Sequence, residues 1–212
     1  MIGLAPAGGL VWVLFGTTAL GVDQVEVTGA VRTTAAEVVA AAGLPEDLPL
    51  ARVDLDDVEE AVSRLAPVDG VTVRRSWPGT VQVIVRERTP VAVAGTPEGL
   101  ALIDGEGVAF AVVPEAPPGL VRLEVPAAVM PDDPSTRAAL QVWHELPPAL
   151  RSQVQTVRAT SAVSVVLLLA GERKVVWGAP GGTASKAAAT AALLALPGSV
   201  VDVSAPGVAV RR

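Results

Sequence analysis

Proline and glycine divide this chain into many short elements. Its 212 residues include 18 Pro and 20 Gly, and 50% of them are hydrophobic. The apolar runs between these breakers are short and rich in Val, a β-branched residue that packs well in extended structure, so they predict strands more often than helices. We therefore expect a β-rich α+β fold, with room for one ordinary domain or for two small ones and an anchor.

The composition argues against several classes of function. The chain has no Cys and a single His, which removes thiolate nucleophiles and Cys-based metal sites and leaves little for acid–base catalysis. The net charge is −6 and there is no basic run, so nucleic acid is a poor partner. Aromatic residues make up 3% of the chain, which disfavours an aromatic-lined ligand pocket. We expect no catalytic residues, no metal, no cofactor and no small-molecule substrate.

The first charged side chain in the sequence is Asp23. As an α-helix, residues 2–21 would span about 30 Å, which matches the hydrocarbon core of a bilayer. We therefore predict an uncleaved transmembrane helix at residues 1–21. A cleaved signal peptide is the alternative, because Ala19 and Gly21 are small residues near a cleavage position, although no basic residue precedes the apolar run.

The next 69 residues, 22–90, predict a small strand–helix–helix–strand–strand (βααββ) unit. Thr34 and Glu37 have the spacing of a capping box, and Asp54 is placed to cap the second helix. Alternating Val residues predict strands, the last two of which pair as a hairpin. The predicted elements are residues 22–28, 34–42, 55–65, 71–76 and 81–86.

Four residues around this hairpin have a recognisable role in the sequence. Trp77 and Pro78 lie in the turn, and we expect the indole to cover the end of the small core, where its loss would cost several kcal/mol. An exposed ring would instead indicate a contact residue. Glu87 and Arg88 follow the second strand, and we expect an ordinary surface pair worth less than about 1 kcal/mol.

The remaining residues, 91–212, predict a second, β-rich unit. Short strands are expected at residues 91–94, 99–103, 108–113, 120–125, 154–159, 162–169, 173–177, 199–203 and 208–211, with helices at about 134–146 and 183–196. The turn at residues 104–107 has the Asp and Gly residues that such turns favour. This order predicts a mostly antiparallel sheet with helices on one face.

Three motifs in this unit suggest chemistry but have simpler interpretations. Residues 178–186 are glycine-rich before a helix, yet a phosphate loop needs Lys directly after its last Gly, and Lys186 lies four residues beyond Gly182. His144 and Glu145 lack the second His of a zinc helix. Asp132 and Asp133 lie where a helix cap is expected.

One segment resembles a known family. Residues 73–92, Val-Arg-Arg-Ser-Trp-Pro-Gly-Thr-Val-Gln-Val-Ile-Val-Arg-Glu-Arg-Thr-Pro-Val-Ala, closely resemble the signature of the FtsQ/DivIB family of bacterial cell-division proteins. Further along, residues 175–178, Lys186 and residues 201–203 match the family pattern in order. The resemblance implies a POTRA domain at residues 22–90 and an FtsQ/DivIB-type β domain at residues 91–212.

The resemblance also implies a function. Proteins of this family are non-catalytic, single-pass (type II) scaffolds of the cell (inner or plasma) membrane, with the amino end in the cytoplasm and both domains outside, at the division septum. They bind FtsB/DivIC-like and FtsL-like proteins and link early to late septum-assembly proteins of the divisome. Two alternatives remain open, an exported membrane-anchored enzyme and a POTRA-type polypeptide-handling protein.

The candidate partner-binding residues lie at the end of the chain: Val203, Val208, Ala209, Val210 and Arg211. The last strand is expected at a sheet edge, where another chain adds a strand, and Arg211 and Arg212 would attract an acidic partner. Family resemblance favours the same end of the domain. In the alternative interpretation, the segment simply closes the sheet and its arginines serve solubility.

Overall fold

The computed structural model describes residues 21–45, 48–205 and 208–211. The chain divides into two compact units, one ending at Arg88 and the other beginning at Thr89. The predicted anchor at residues 1–21 lies outside the described residues, apart from Gly21. Among the residues that are described, no helix is both long and apolar enough to cross a membrane.

The first unit has a three-stranded sheet and two helices in the predicted order. Its elements are β1 (Gln24–Thr28), α1 (Ala35–Ala42), a 3-10 turn (Leu50–Arg52), α2 (Leu55–Ser63), β2 (Val68–Ser76) and β3 (Thr80–Glu87). The strand order is β1-β3-β2, with β3 parallel to β1 and antiparallel to β2. The connection from β1 to its parallel neighbour β3 contains both helices and β2, which is long enough for a parallel pair.

Both helices of this unit begin at the predicted caps. Thr34 Oγ1 accepts a hydrogen bond from the amide of Glu37, and the Glu37 carboxylate accepts one from the amide of Thr34 at 2.7 Å, so the capping box is confirmed. Gly43 ends α1 with a φ of 60°, a left-handed conformation that glycine adopts without strain. Asp54 Oδ1 accepts from the amides of Asp56 and Asp57 and caps α2.

Buried Val residues alternate with more exposed residues along β2 and β3, and these Val residues form part of the core of the first unit. Val73, Val81 and Val83 are buried against the helices, where Val38 and Val62 meet them. On the opposite face of the sheet the side chains are mainly polar. This one-sided burial is the pattern expected when helices cover one face of a sheet.

The interpretation of Trp77 as a core residue is wrong, because its side chain is 51% exposed. Arg75, two residues earlier on β2, makes the contact with the chain around the 3-10 turn. Arg75 Nε donates to the carbonyl of Leu50 at 2.9 Å, and its guanidinium also donates to the carbonyl of Val53. The guanidinium therefore satisfies the carbonyls at the end of the core, and the indole remains outside as a candidate contact surface.

Glu87 is more than an ordinary surface charge. Its carboxylate accepts hydrogen bonds from the backbone amides of three consecutive residues, Val31, Arg32 and Thr33, each at 2.8 Å. Burial alone would raise the pKa of Glu87, but these amides favour the charged form and the net effect lowers it. The end of β3 is thereby tied to the loop that follows β1.

Arg88 also has a structural contact. Its amide donates to the carbonyl of Pro67 at 2.8 Å, and its guanidinium lies 3.8 Å from the Asp69 carboxylate. Glu87 therefore bonds to the loop that follows β1, and Arg88 contacts the start of β2 and the residue before it. This arrangement replaces the simple surface pair that we expected.

The second unit is built on a nine-stranded sheet. Its strands are β4 (Ala92–Thr96), β5 (Gly99–Ile103), β6 (Ala109–Val113), β7 (Val121–Glu124), β8 (Val154–Ser161), β9 (Ser164–Leu169), β10 (Lys174–Gly178), β11 (Val200–Ala205) and β12 (Val208–Arg211). The helices are α3 (Pro134–Glu145), α4 (Pro148–Arg151) and α5 (Thr183–Leu194). The strand order is β12-β11-β10-β9-β8-β7-β4-β5-β6.

The sheet is mostly antiparallel, as predicted. Three of its pairs are parallel, namely β4 with β7, β7 with β8 and β10 with β11. Residues of α3, α4 and α5 share one large core with one face of the sheet, and Trp177 is at its centre. A smaller apolar cluster around Phe110 lies on the other face, near β5 and β6.

Two acidic side chains organise the connections of this unit. Asp133 Oδ2 accepts from the amide of Thr136 at 2.6 Å and caps α3, which confirms the predicted cap. Asp104 Oδ1 accepts from the amides of Glu106 and Val108, at 2.9 and 2.8 Å, and closes the turn between β5 and β6. Both carboxylates satisfy backbone donors that would otherwise lack a partner.

Trp77 and Trp177 provide a matched pair of substitutions. We expect Trp77→Ala to cost less than about 1 kcal/mol, because the ring is 51% exposed, and Trp177→Ala to cost about 3–5 kcal/mol, because its side chain is fully buried. Urea unfolding followed by circular dichroism measures both. A loss of several kcal/mol in Trp77→Ala would contradict the exposed position of the ring.

Glu87→Gln keeps the shape of the side chain but removes its charge. We expect a loss of about 1–3 kcal/mol at neutral pH, because three amides lose a charged acceptor. The folded pKa of Glu87 lies below its ordinary value of 4.5. Its stabilisation is therefore complete above that value and is lost as the pH falls through the folded pKa.

Urea unfolding of both proteins between about pH 3 and about pH 7 tests this expectation. The control is Glu60→Gln, which removes an exposed ion pair with Arg64 and should change stability by less than about 1 kcal/mol. A difference between Glu87→Gln and the parent that stays constant down to acid pH would show that the carboxylate charge is not the cause.

Candidate partner-binding edge

The last strand of the chain lies at an edge of the nine-stranded sheet. In the described part of the chain, β12 pairs with β11 alone, in antiparallel register that matches Val201 with Arg211, Asp202 with Val210 and Ala205 with Val208. The other side of β12 therefore presents main-chain amides and carbonyls that no strand of this sheet uses. Such an edge is a template for strand addition.

The register of this edge is set by β11. Asp202 Oδ1 accepts hydrogen bonds from the amide and the hydroxyl of Ser204, at 3.0 and 2.7 Å. The pairing between β11 and β12 shifts between Asp202 and Ala205. The Asp–Ser turn thus fixes the backbone of β11 where the register changes, and β12 continues from there.

The structure brings four of the five candidate residues together. Val208, Ala209, Val210 and Arg211 form β12, and the Val210 side chain is 44% exposed. Val203 is separate from them, since it lies on β11, one strand in from the edge, and its side chain is buried in the large core. We therefore assign Val203 a supporting position and keep β12 as the candidate contact strand.

The helix α5 packs against this end of the sheet, and Lys186 attaches its first turn to the residue that follows β10. Lys186 Nζ donates to the carbonyl of Ala179 at 2.6 Å and lies 5.6 Å from the centre of the Trp177 ring. Burial lowers the pKa of Lys186, while the charge of Glu145 acts in the opposite direction. The Lys186 side chain thus makes a structural contact.

Glu145 connects the start of α5 to the end of α3. Its carboxylate accepts hydrogen bonds from the hydroxyl of Thr183 and, at 2.9 Å, from the side-chain amide of Gln141. These bonds lower the pKa of Glu145, assisted by the charge of Lys186 and opposed by burial. The sequence contained no spacing pattern for this contact, because Glu145 and Thr183 are 38 residues apart.

The surroundings of His144, one of the two residues considered for a zinc helix, are explained by structural contacts. The backbone carbonyl of His144 accepts from the guanidinium of Arg151 at 2.6 Å, and that guanidinium lies over the ring of Trp143 at 5.2 Å. Across the described ranges, no three residues of the types His, Cys, Asp and Glu are close enough to hold a metal ion. The arrangement at this end of the unit therefore serves to position strands and helices.

Comparison with known proteins gives the family. The pattern that defines the POTRA domain of FtsQ type matches residues 20–88, and the pattern of the FtsQ/DivIB C-terminal region matches residues 92–204. The chain belongs to the FtsQ/DivIB family. The expected family assignment is confirmed.

The chain is similar to proteins named cell division protein FtsQ from several bacteria. The chain is 41% identical to the cell division protein FtsQ of Mycolicibacterium smegmatis over 203 residues, which cover 96% of this chain and 60% of that protein. It is 40% identical to the FtsQ of Streptomyces bingchenggensis over 207 residues, covering 93% of this chain and 78% of that protein. The chain thus spans less than two thirds of the first of these relatives, and these FtsQ relatives are named as division proteins rather than as enzymes.

Proposed function

We propose that this chain is a non-catalytic membrane scaffold of the divisome that binds FtsB/DivIC-like and FtsL-like proteins and links early to late septum-assembly proteins. The observation that carries the proposal is the position of β12 at the edge of the nine-stranded sheet. Membership of the FtsQ/DivIB family supports the division role. That the chain binds these particular partners goes beyond family membership and is part of the proposal.

The chemistry of the edge supports binding by strand addition. A segment of an FtsB/DivIC-like partner would pair with the unused main-chain groups of β12, and each such hydrogen bond contributes about 0.5–1.5 kcal/mol net. Four residues of β12 provide only a few of these bonds. Side-chain contacts must therefore add to the affinity, and the exposed part of Val210 provides an apolar one.

In the proposed binding, the charge at the end of β12 would orient the added partner strand. The chain carries a net charge of −6, whereas β12 ends at Arg211. An acidic residue in the partner segment would be attracted to this end of the strand and repelled from most of the remaining surface. The pairing direction of the added strand would follow from that preference.

Membrane attachment completes the proposed function. We assign residues 1–21 as the transmembrane helix and residues 22–212 to the extracytoplasmic side, with the amino end in the cytoplasm. The run before Asp23 is uncharged and about as long as a bilayer core is thick. A single spanning helix would hold both units on the same side of the membrane.

Removal of residues 207–212 tests the edge. We expect the shortened chain to lose binding to the purified extracytoplasmic segment of an FtsB/DivIC-like protein while still unfolding cooperatively, because β12 is the outermost strand. Arg211→Glu, which leaves the strand in place, should weaken binding by about tenfold, and the effect should shrink with added salt. Isothermal titration calorimetry measures both.

The matched control is Arg137→Glu on the exposed side of α3, which should bind as the parent does. Unchanged binding by the shortened chain would contradict the proposal. If the shortened chain does not fold, the result for Arg211→Glu decides, and affinity equal to that of the control variant would rule out β12 as the contact strand.

The proposed topology has its own test. A reporter enzyme that works only in the cytoplasm, fused after Arg212, should remain inactive, and one that works only outside should be active. The physical reason is the uncharged 20-residue run at residues 2–21, which is long enough to span the bilayer. Cytoplasmic activity of the first fusion would reverse the assignment.

A further inference from the structure

The opposite edge of the nine-stranded sheet is formed by β6. Among the described strands, β6 pairs with β5 alone, and it ends the strand order at the far side from β12. Its five residues, Ala109–Val113, include no charged residue and no proline. Edge strands in natural proteins are usually protected by charge, proline or a covering segment, so an apolar edge of this kind indicates a surface used for binding.

The residues around β6 have a uniform charge. Residues 91–120 contain four acidic side chains and no Lys or Arg. Asp104 is buried in its own turn, but Glu98, Glu106 and Glu115 are exposed. Glu106 precedes β6, and Glu115 follows it, so both ends of the strand carry a carboxylate. The charged residues near the β6 edge are therefore negative, whereas β12 ends at the positively charged Arg211.

Both faces of the sheet beside β6 are apolar. The register pairs Val112 with Ala101 and Ala109 with Ile103. Ala101, Ile103 and Ala109 line an open groove of about 540 Å³ on the face that carries the helices, and the charged Arg122 and Glu124 line it at β7, three strands from β6. On the other face, Phe110 is buried in the smaller apolar cluster.

An added strand would continue this pattern. Successive side chains of a strand point to opposite faces, so alternate residues of the added segment would lie beside the groove and beside the cluster around Phe110. Val112, which is 50% exposed, would be covered on the groove side. Apolar or Thr-like side chains suit both faces, and basic side chains suit the two carboxylate-bearing ends.

We propose that β6 is a second strand-addition site, which binds an extended segment of a partner protein in which apolar residues are flanked by Lys or Arg. This site is separate from β12 and does not depend on what binds there. Two copies of β6 would bring Glu106 and Glu115 of each chain together, and like charges disfavour that contact. Pairing of β6 with β12 of another copy would consume the β12 edge and leave an open-ended assembly.

The test uses two synthetic probe peptides and the whole chain. The first peptide has five alternating Val and Thr residues between two pairs of Lys, and the second has Glu in place of Lys. We expect the Lys peptide to bind at least tenfold more tightly at low salt, with the difference falling as salt is added. Fluorescence anisotropy measures affinity, and amide hydrogen exchange should show protection of residues 109–113.

Variants locate the site. Val112→Lys places a charge on the edge and should weaken binding of the Lys peptide at least tenfold. The matched control is Val163→Lys, in the turn between β8 and β9, where the parent side chain is 67% exposed. That variant should bind as the parent does. Ala109→Lys, at the other exposed position of β6, replaces Val112→Lys if the latter fails to fold.

Four results would overturn the proposal: equal binding of the two peptides, no binding of the Lys peptide, binding that Val112→Lys leaves unchanged, and amide protection at residues 208–211 instead of 109–113. Dimerisation in sedimentation velocity that Val112→Lys abolishes would assign the edge to a second copy instead. In each case the binding of an FtsB/DivIC-like segment by Val112→Lys is measured separately, so a failure at β6 is distinguished from a failure at β12.

Discussion

An open β-sheet always has two edge strands whose outer main-chain groups have no partner within the sheet. In the second unit of this chain these strands are β12 and β6. Every backbone amide and carbonyl that leaves water needs a hydrogen-bond partner, so an edge must be hydrated, covered or paired with another chain. The nine-stranded architecture therefore creates two surfaces with the same backbone chemistry, and side chains must distinguish them.

The elements that position β12 are joined by a few polar side chains. Lys186 joins α5 to the Ala179 carbonyl, and Glu145 joins the start of α5 to α3. Asp202 fixes the backbone of β11 beside the edge. In the first unit, Glu87 performs the equivalent task by accepting from three loop amides. Charged side chains in this protein thus mainly satisfy backbone groups, which is consistent with a scaffold whose function depends on the position of its strands.

Much of the fold was predictable because it depends on local signals. The helices begin at Thr34, Asp54 and Asp133 because these side chains accept from nearby amides, and such caps are visible as short spacings in a sequence. The alternation of Val along β2 and β3 likewise depends on neighbours two residues apart. The position of the last strand, from Val208 to Arg211, also agrees with its predicted limits.

Contacts between distant residues were not predictable in the same way. Glu87 lies more than 50 residues from the loop that it binds, and nothing in its local pattern separates it from a surface carboxylate. Trp77 was misplaced because a large apolar residue at a hairpin is expected to be buried, whereas its ring is 51% exposed. The hydrogen bonds of Arg75 to two backbone carbonyls were equally invisible in the sequence, because the carbonyls lie more than 20 residues away. The last strand was expected at a sheet edge, but the position of Val203, one strand in from that edge, required the structure.

In the two binding sites that we propose, opposite charge would let chemically similar edges select different partners. Main-chain hydrogen bonds are the same for any extended segment, so they contribute affinity but little discrimination. The sequence places carboxylates near both ends of β6 and an arginine, Arg211, at the end of β12. In the proposed arrangement each edge would therefore disfavour the segment that the other accepts, and this repulsion would separate the two sites as effectively as any attractive contact. The acidic residues of 91–120 would then contribute to specificity at β12 as well, because they would disfavour β6 as a competing edge.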